Sequence, residues 1–332
     1  MLPGLIIPME PRPCPEPFDS PRHLFQVKWD GVRMLAFVAA GAVRLQNRRL
    51  RDRTAQYPDL QALAAAVGDH EAVVDGEVVA FDGRRPSFAV TLRRDLAGSA
   101  DRAAWLARRH PVTFMAFDLV YLDGRDLRPE PLEARLSALD RLLGGQAAGG
   151  GRPGGGGGGG VGGGGVGGGG VAVVVESFAG GRALFDAVVQ ANLEGVVAKA
   201  RGSPYVAGKR SSHWLKFKHR RRQLCAVGGY IVSGGRPAAL LMGAYAGDRL
   251  VYIGRVGSGL SERDRDLLAP VLAADRGPCP FDPPPRLPPA ARRWVAPRLV
   301  AVVRFAEWTE GMHMRAPSLE GFSDQPPAAC RL

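Results

Sequence analysis

Lysine is rare in this sequence, and its few copies mark where amine chemistry can occur. Of the 44 lysine and arginine residues, five are lysine, at positions 28, 199, 209, 216 and 218. Arginine stays protonated at ordinary pH, whereas a lysine amine can lose its proton and act as a nucleophile. Arginine has replaced lysine almost everywhere else. The clustered lysines therefore indicate positions where a guanidinium group cannot do the chemistry that an amine can.

Lys28 opens a short polar interruption between two apolar runs, Lys28-Trp-Asp-Gly-Val-Arg33. The pattern predicts a tight turn between two strands, because Gly31 can take a turn conformation closed to other residues. A lysine at the start of such a turn can project its amine into a pocket. There Asp30 can bind a metal or orient a leaving group, and Arg33 can hold a phosphate through two hydrogen bonds.

A second window, residues 194–218, combines a carboxylate with the four other lysines. Glu194 precedes a predicted strand, Gly195–Lys199, which ends in a lysine. Alternation along residues 214–218 puts Lys216 and Lys218 on one strand face. Two ammonium groups on one face repel unless an anion lies between them, and a nucleotide phosphate is a suitable anion. The alternative is a solvated basic edge of a sheet.

The elements that must position these groups fall into two predicted domains. Residues 21–221 mix strands with amphipathic helices, whereas residues 222–332 contain short apolar runs separated by glycine turns, with one helix at 261–272. The sequence pattern of residues 222–332 is typical of a small β-barrel. We therefore expect an α+β protein with two domains, preceded by a proline-rich segment over residues 1–20.

Spacing of apolar residues predicts the elements of the first domain. The predicted strands are 24–38 (two strands around the polar turn), 41–45, 72–81 (interrupted by Asp75-Gly76-Glu77), 113–122, 171–175, 195–199 and 214–218, and the predicted helices are 57–67, 100–109, 132–143 and 181–193. Residues 144–170 are nearly all glycine. Such a tract loses much backbone entropy on ordering and buries little, so we expect a flexible loop.

Composition excludes several classes of protein. A formal net charge of +12 favours a polyanionic partner such as nucleic acid, although a GC-rich genome also raises the arginine content. The four cysteines form no C-x-x-C pair, which argues against a zinc module and a disulfide framework. No stretch approaches the roughly 18 apolar residues of a membrane helix, and no signal peptide is evident. We expect no membrane partner and a cytoplasmic, nucleoid-associated location.

The motifs together resemble those of a known superfamily. Lys28–Arg33, Glu194–Lys199 and Trp214–Lys218, in this order, look like motifs I, IV and V of the covalent nucleotidyltransferases. The chain particularly resembles the ATP-dependent DNA ligases, above all the bacterial ligases of the non-homologous end-joining type. Further similar segments are Asn47-Arg48, Asp75-Gly76-Glu77, Phe117–Gly124 and Ser203–Tyr205. The resemblance implies a nucleotidyltransferase domain, with ATP-grasp-like antiparallel sheets and helices, followed by an OB-fold barrel.

The resemblance also implies a reaction in three steps. Lys28 attacks the α-phosphate of ATP and forms a lysyl-AMP phosphoramidate, AMP passes to the 5′-phosphate at a DNA nick, and the 3′-hydroxyl displaces AMP. Step one needs a neutral Lys28. We expect Lys216, Lys218 and bound Mg²⁺ to lower the pKa of Lys28 by repulsion between like charges.

The site residues are carried over from the family motif by motif. Lys28 is the implied catalytic residue, and Glu77 and Glu194 are the implied ligands of Mg²⁺, or of Mn²⁺ in its place. Phe117 is expected to stack on adenine. The implied nucleotide-binding residues are Gln26, Asp30, Arg33, Arg48, Glu77, Phe117, Lys199, Lys216 and Lys218.

Two positions depart from the family pattern. The residue two before the nucleophile, commonly glutamate in this branch, is Gln26. The terminal motif VI reads Gly321–Gln325, with Ser323 and Gln325 where an arginine and a lysine are usual. Because those cations are thought to orient pyrophosphate, their loss would slow self-adenylylation.

The expected function is an ATP-dependent DNA ligase that seals nicks or ends. Its expected partners are nicked or broken double-stranded DNA and a Ku-like end-binding protein, and we expect a monomer. One alternative is an RNA ligase or a capping-type nucleotidyltransferase. The other is a catalytically impaired protein that binds DNA ends or nicks, which the departures in motif VI motivate.

Overall fold

The computed structural model describes residues 2–83, 85–144, 170–288, 292–306, 308–309 and 311–332. Most of the glycine-rich tract, for which a flexible loop is predicted, lies outside these described residues. The chain divides into two compact units, Met1–His219 and Arg220–Leu332. Within the described part of the chain, no helix is long and apolar enough to cross a membrane.

The first unit contains two β-sheets and five α-helices among its described residues. Its strands are β1 (Glu10–Pro13), β2 (His23–Lys28), β3 (Val32–Ala39), β4 (Ala42–Asn47), β5 (Ala72–Asp82), β6 (Arg85–Pro86), β7 (Val112–Leu122), β8 (Arg125–Asp126), β9 (Ala172–Val174), β10 (Gly195–Ala200) and β11 (Arg210–Lys218). Its helices are α1 (Leu63–Val67), α2 (Phe88–Asp95), α3 (Ala100–Arg109), α4 (Leu132–Leu143) and α5 (Gly181–Gln190).

The two sheets of the first unit differ in size and strand order. The smaller sheet has the order β1-β11-β10-β2, and β10 runs antiparallel to both of its neighbours. The larger sheet has the order β4-β3-β5-β7-β8, with β6 paired to β5 and β9 paired to β7. Helix α5 covers the outer face of the smaller sheet, where Leu184 and Val188 pack on Phe25, Val196 and Phe217.

An apolar layer joins the inner faces of the two sheets. It includes Leu35 and Val73 from the larger sheet and Trp214 from the smaller sheet. On the outer face of the larger sheet, α1 and α4 bury side chains such as Leu63 and Leu139. The first unit is therefore layered as helix, sheet, sheet, helices. Any polar group on an inner face lies between two sheets, where water is largely excluded.

Residues 2–20 belong to the first unit. Ile6 and Met9 are buried in the layer between the sheets, and β1 pairs in parallel with β11. The side chain of Gln46 bonds both backbone polar groups of Ile6. Strand β1 was not predicted, because a proline-rich segment lacks the alternation of apolar and polar residues by which strands are recognised.

Most predicted elements of the first unit are confirmed. Besides β1 and the two-residue strands β6 and β8, which were not predicted, there are three differences. The helix predicted over 57–67 is a 3-10 turn, Pro58–Ala62, followed by the short helix α1. Helix α2 was not predicted; its first turn is capped by Ser87, which accepts a hydrogen bond from Val90 N. Strand β5 continues through Asp75-Gly76-Glu77, where an interruption was expected, although its register to β7 shifts there.

The second unit forms a six-stranded sheet with one α-helix among its described residues. Its elements are β12 (Arg221–Ser233), β13 (Arg236–Ala246), β14 (Arg249–Val256), α6 (Glu262–Ala274), β15 (Arg292–Trp294), β16 (Val300–Phe305) and β17 (Ser318–Ser323). The strand order is β14-β13-β12-β16-β17, with β15 paired to β12. Ser261 and Asp264 form a capping box that starts α6, close to the predicted helix start.

A buried ion pair fixes β7 to α4 in the first unit. Arg135 and Asp118 are both fully buried, and the guanidinium meets the carboxylate through two hydrogen bonds of 2.7 and 3.0 Å. Arg135 also donates to the carbonyl of Ser203 at 2.9 Å. Because Asp118 follows Phe117 directly, this pair holds β7 where it passes the inner layer.

We predict that Arg135→Met lowers the free energy of unfolding by about 3–5 kcal/mol, since it leaves the Asp118 carboxylate buried without its partner. Urea denaturation followed by circular dichroism measures the change. Arg125→Met is the matched control, because Arg125 is 75% exposed and only 3.7 Å from Glu130, a pair that contributes little. Similar losses in the two variants would contradict the assignment.

Candidate active site

One face of the smaller sheet gathers most of the chemically active side chains. In register, Lys28 and Lys218 lie on either side of Gly195, and Gln26 and Lys216 lie on either side of Val197. These side chains share the inner face, because the alternate residues of the same strands pack against α5. Lys216 and Lys218 thus share one face of β11, as predicted. Lys28 and Gln26 of β2 lie on the same face of the sheet.

Glu194 lies between two ammonium groups at the start of β10. Its Oε2 is 2.5 Å from Lys28 Nζ, and its Oε1 is 2.7 Å from Lys218 Nζ. The sequence predicts an anion between Lys216 and Lys218, with a nucleotide phosphate as a suitable one. Glu194 instead lies between Lys28 and Lys218, so a carboxylate of the protein neutralises that pair. The carboxylate is 11% exposed, so water screens these two interactions weakly.

The pKa of Lys28 corrects the expectation from the sequence. Burial lowers the pKa of Lys28, but the negative charges of Glu194, Glu77 and Asp30 outweigh burial, and the pKa lies above its ordinary value. We expected Lys216 and Lys218 to lower it by repulsion. That part of the prediction was wrong, because the Glu194 carboxylate lies against the Lys28 ammonium and neutralises it.

Glycine at two positions lets the backbone come close to this site. A Cβ on Gly195 would lie 2.1 Å from the carbonyl oxygen of Phe217, so β10 and β11 could not approach with any side chain there. A Cβ on Gly31 would lie 2.2 Å from the carbonyl oxygen of Val78. Glycine is thus needed at position 31 because the backbone there lies so close to β5 that no side chain fits. The special turn conformation predicted for it is not observed, since Gly31 is not among the positive-φ glycines.

The larger sheet presents Arg33, Glu77 and Phe117 toward the same cleft. Arg33 makes two hydrogen bonds to buried Asp75, at 3.0 and 2.6 Å, and Tyr205 donates a third to the same carboxylate at 2.7 Å. Arg33 is therefore held by a protein carboxylate. Its guanidinium also lies 5.3 Å from the centroid of the Phe117 ring.

Lys199 is a buried cation packed between aromatic rings. It is 2% exposed, its Nζ donates to the Phe117 carbonyl at 2.8 Å, and it lies 4.6 and 4.2 Å from the ring centroids of Phe117 and Trp214. Burial, together with Arg33 and Arg135, lowers its pKa to about 7. Lys199 thus contacts the ring predicted to stack on adenine, and it supports that ring from within the protein.

Gln26 has a fixed amide orientation. Its Nε2 donates to the Val175 carbonyl at 3.3 Å and to Ser177 Oγ at 3.0 Å. A carbonyl can only accept, so Nε2 must face Val175, and Oε1 must face the other way. Gln26 is 2% exposed, and Oε1 has no hydrogen-bond partner within the described part of the chain. The site therefore offers a buried, unused acceptor beside Lys28.

Arg48 lies apart from this row of side chains. It follows β4, its side chain is 64% exposed, and it is paired with Glu10 of β1 at 2.6 Å. Lys216 is partly buried and electrostatically coupled to Lys28 and Lys218, so it belongs to the cleft. Sequence reasoning missed Glu10, Asp75 and Ser177, whose partners lie far away in the chain and follow no short motif.

The carboxylates around Lys28 suit a divalent cation shared with phosphates. Burial raises the pKa of Glu77 to about 7, the proximity of Glu194 adds to the shift, and Lys28 opposes it. No cluster of three or more acidic, histidine or cysteine side chains that could hold a metal alone occurs among the described residues. Mg²⁺ commonly binds one or two carboxylates and completes its coordination with substrate phosphates and water. Glu77 and Glu194 fit that mode of binding.

The chain belongs to the ATP-dependent DNA ligase family. The family model described as the ATP dependent DNA ligase domain matches residues 15–151 and 171–218, and the model described as the ATP dependent DNA ligase C terminal region matches residues 233–325. The second match includes Ser323 and Gln325, at the end of β17 and just after it.

Similar proteins include the multifunctional non-homologous end joining DNA repair protein LigD of Mycobacterium tuberculosis, 37% identical over 316 residues. The match covers 92% of this chain but 36% of that protein, so the chain spans about a third of this relative's length. The solved ligase domain from M. tuberculosis LigD is 33% identical, with 98% of each chain covered and a TM-score of 0.53. A mycobacterial DNA ligase D complexed with ATP is 34% identical, with 98% of this chain and 97% of that chain covered and a TM-score of 0.53.

These findings confirm the predicted fold class and the predicted family. The first unit is the nucleotidyltransferase domain and the second is the OB-fold domain. The matches favour an ATP-dependent DNA ligase over an RNA ligase or a capping enzyme. The roles of individual site residues remain predictions.

Lys199 should make the stability of the fold depend on pH. Its pKa is about 7 in the folded chain and 10.5 in an ordinary lysine, so across this window unfolding takes up a proton. The free energy of unfolding should therefore rise with pH, by up to about 1.4 kcal/mol per pH unit. Urea unfolding at several pH values within the window measures the slope.

Lys199→Met removes the titrating amine and should flatten this rise. Lys209→Met is the matched control, because Lys209 is an exposed lysine of the same region and its loss should leave the slope unchanged. A slope that persists in Lys199→Met would show that another group is responsible.

Proposed function

We propose that this chain seals breaks in the backbone of double-stranded DNA, using Lys28 as the nucleophile that carries AMP. The observation that carries the proposal is the position of Lys28 Nζ. It lies 2.5 Å from Glu194, beside Lys218, on a sheet face opposite Arg33, Glu77 and Phe117. An amine held among groups that bind phosphate and an aromatic ring suits attack on a nucleotide.

Step one exchanges one bond at the α-phosphorus for another. Lys28 Nζ forms a bond to phosphorus, the bond to the bridging oxygen breaks, and pyrophosphate leaves. The ammonium must lose a proton to water before it attacks. Glu194 Oε2 orients Nζ through its hydrogen bond and does not take the proton, because Lys28 and Lys218 outweigh burial and hold the pKa of Glu194 below its ordinary value. Lys216 and Lys218 offset the charge on the phosphates. Mg²⁺ held by Glu77 and Glu194 would supply positive charge to the phosphates and lower the cost of deprotonating the amine.

Steps two and three act on DNA. AMP moves from Lys28 to a 5′-phosphate, the Lys28–phosphorus bond breaks, and the free amine is restored. The adjacent 3′-hydroxyl then attacks the 5′-phosphate and AMP leaves. The formal charge of +12 supports binding to a phosphate backbone, with an affinity that falls as salt increases.

We propose further that the substrates include broken DNA ends, that a Ku-like end-binding protein assists, and that the chain acts as a monomer at the nucleoid. Support comes from LigD, a relative named for non-homologous end joining that is much longer than this chain. Sealing of blunt or cohesive ends, compared with sealing of a nick, tests this finer assignment.

The nucleophile is tested by covalent labelling. Wild-type protein mixed with α-labelled ATP and Mg²⁺ should carry label that survives denaturation, whereas Lys28→Ala should carry none, because the attacking amine has been removed. Lys209→Ala, the loss of an exposed lysine, should label like the wild type. Label on both wild type and Lys28→Ala would reassign the nucleophile. No label on either would favour the DNA-binding protein that motif VI suggests.

Gln26 should make the site prefer ATP to GTP. Its buried Oε1 accepts a hydrogen bond, which the amino group of adenine can donate and the oxygen of guanine cannot. Gln26→Leu should raise the KM for ATP by roughly tenfold, the equivalent of about one hydrogen bond, and reduce the preference over GTP. Labelling rates with α-labelled ATP and GTP measure both. Gln26→Glu keeps an acceptor and should keep the preference, and an unchanged ratio in Gln26→Leu would refute this role.

A further inference from the structure

Tyr205 brings a hydroxyl group into the buried layer between the two sheets. The hydroxyl donates a hydrogen bond to Asp75 Oδ2 at 2.7 Å and accepts one from the backbone N–H of Met9 at 3.1 Å. Tyr205 is 3% exposed, and Asp75 is fully buried. Burial and the Asp75 carboxylate hold the pKa of Tyr205 well above its ordinary value, so the hydroxyl stays protonated and remains a donor.

The Asp75 carboxylate connects this hydroxyl to Arg33. Its Oδ1 accepts a hydrogen bond from Arg33 Nε at 3.0 Å, and its Oδ2 accepts one from Arg33 Nη2 at 2.6 Å as well as the one from Tyr205. A guanidinium that donates two parallel hydrogen bonds to one carboxylate is fixed relative to the plane of that carboxylate. The orientation of Arg33 therefore follows that of Asp75, and Tyr205 contacts the oxygen that accepts the shorter of the two bonds.

The guanidinium held in this way lies beside the ring expected to stack on adenine. Arg33 Cζ is 5.3 Å from the centroid of the Phe117 ring and 5.5 Å from that of the Trp214 ring. The bonds to Asp75 use two of the five N–H groups of the guanidinium. Because the guanidinium is planar and rigid, a rotation of the carboxylate would move the other three N–H groups relative to a nucleotide stacked on Phe117.

The ring of Tyr205 is held by contacts that do not involve its hydroxyl. The rings of Tyr205 and Trp214 meet edge to face, with their centroids 5.7 Å apart, and Arg135 Cζ is 5.9 Å from the centroid of the Tyr205 ring. The backbone N–H of Tyr205 donates to the carbonyl of Arg128 at 2.8 Å. A phenylalanine at this position would keep these contacts, so the contribution of the hydroxyl can be measured separately from that of the ring.

We propose that Tyr205 is a positioning residue for nucleotide binding, because its hydroxyl orients the Asp75 carboxylate and, through it, the Arg33 guanidinium. The proposal rests on the proposed function, in which Arg33 binds the nucleotide. Without the hydroxyl, Oδ2 of Asp75 loses a donor in a layer from which water is largely excluded, and the carboxylate can rotate together with Arg33. The nucleotide then has to order the guanidinium as it binds, which weakens binding.

Tyr205→Phe tests the proposal, with Tyr57→Phe as the matched control. Tyr57 is fully buried, and its hydroxyl donates to Asp95 Oδ1 at 3.2 Å. Asp95 in turn pairs through both oxygens with Arg53, at 3.0 and 2.9 Å. The two substitutions thus remove the same group from equivalent sets of contacts, but only the set around Tyr205 includes Arg33. The measurements are the KM and kcat for labelling of Lys28 with α-labelled ATP and Mg²⁺, and the Kd of AMP by calorimetry without metal.

Tyr205→Phe should raise both the KM for ATP and the Kd of AMP by about five- to tenfold, close to the loss of one hydrogen bond. The kcat should change by less than about twofold, because Arg33 meets the nucleotide both before and during the transfer of AMP. Tyr57→Phe should leave all three quantities unchanged. Equal effects in the two variants, a lower kcat at an unchanged KM, or a Tyr205→Phe variant that fails to fold would each overturn the positioning role.

Arg33→Gln provides an independent arm. Adding Tyr205→Phe to this variant should raise the Kd of AMP no further, because the guanidinium to be positioned is gone. A further rise in the double variant would show that Tyr205 acts by another route and would overturn the proposal. If wild-type protein takes no label on Lys28, the proposed function fails at step one, while the Kd of AMP still decides the role of Tyr205.

Discussion

Repulsion between ammonium groups is the constraint on which this site depends. Lys28 and Lys218 lie on either side of a single residue, Gly195, on the same sheet face. In a cleft between two sheets, two such charges are tolerated only with an anion between them. Glu194 is that anion. A triphosphate entering the cleft brings its own negative charge and so changes what each lysine is paired with.

The same pattern recurs around the cleft. Asp75 holds Arg33, and Glu10 holds Arg48 and Arg210. The motifs assign six cations to catalysis or to nucleotide binding. Four of them are paired with a carboxylate of the protein, and the other two are Lys216 and Lys199. Lys199 differs, since its Nζ is held by a carbonyl and two aromatic rings. Pairing keeps the arginines and lysines ordered, and the carboxylates define where substrate phosphates must compete.

Much of this arrangement follows from local sequence. Alternation in β11 identified the face shared by Lys216 and Lys218, and the short interval from Lys28 to Arg33 identified a turn between β2 and β3. These features depend on neighbours within a strand or a turn, which the sequence shows directly. The long glycine-rich interruption does not obscure them.

The remaining features depend on residues that are distant in the chain. Strand β1 was missed because its partner β11 lies about 200 residues away, as the separation of Glu10 from Arg210 shows. The sign of the pKa shift of Lys28 was wrong because the position of the Glu194 carboxylate relative to two lysines is a tertiary property. The orientation of Gln26 is likewise set by Val175 and Ser177, which no short motif connects to it.

The pairing of β1 with β11 also has a consequence for synthesis on the ribosome. The strand made first in this unit has as its neighbour the strand made last, and the two are joined only after the glycine-rich tract has been translated. Closing so long a loop carries an entropic cost and slows folding. Until Trp214 has left the exit tunnel, Ile6 and Met9 lack one large side chain of the buried layer into which they pack, so this apolar segment stays exposed for longer than the strands that follow it.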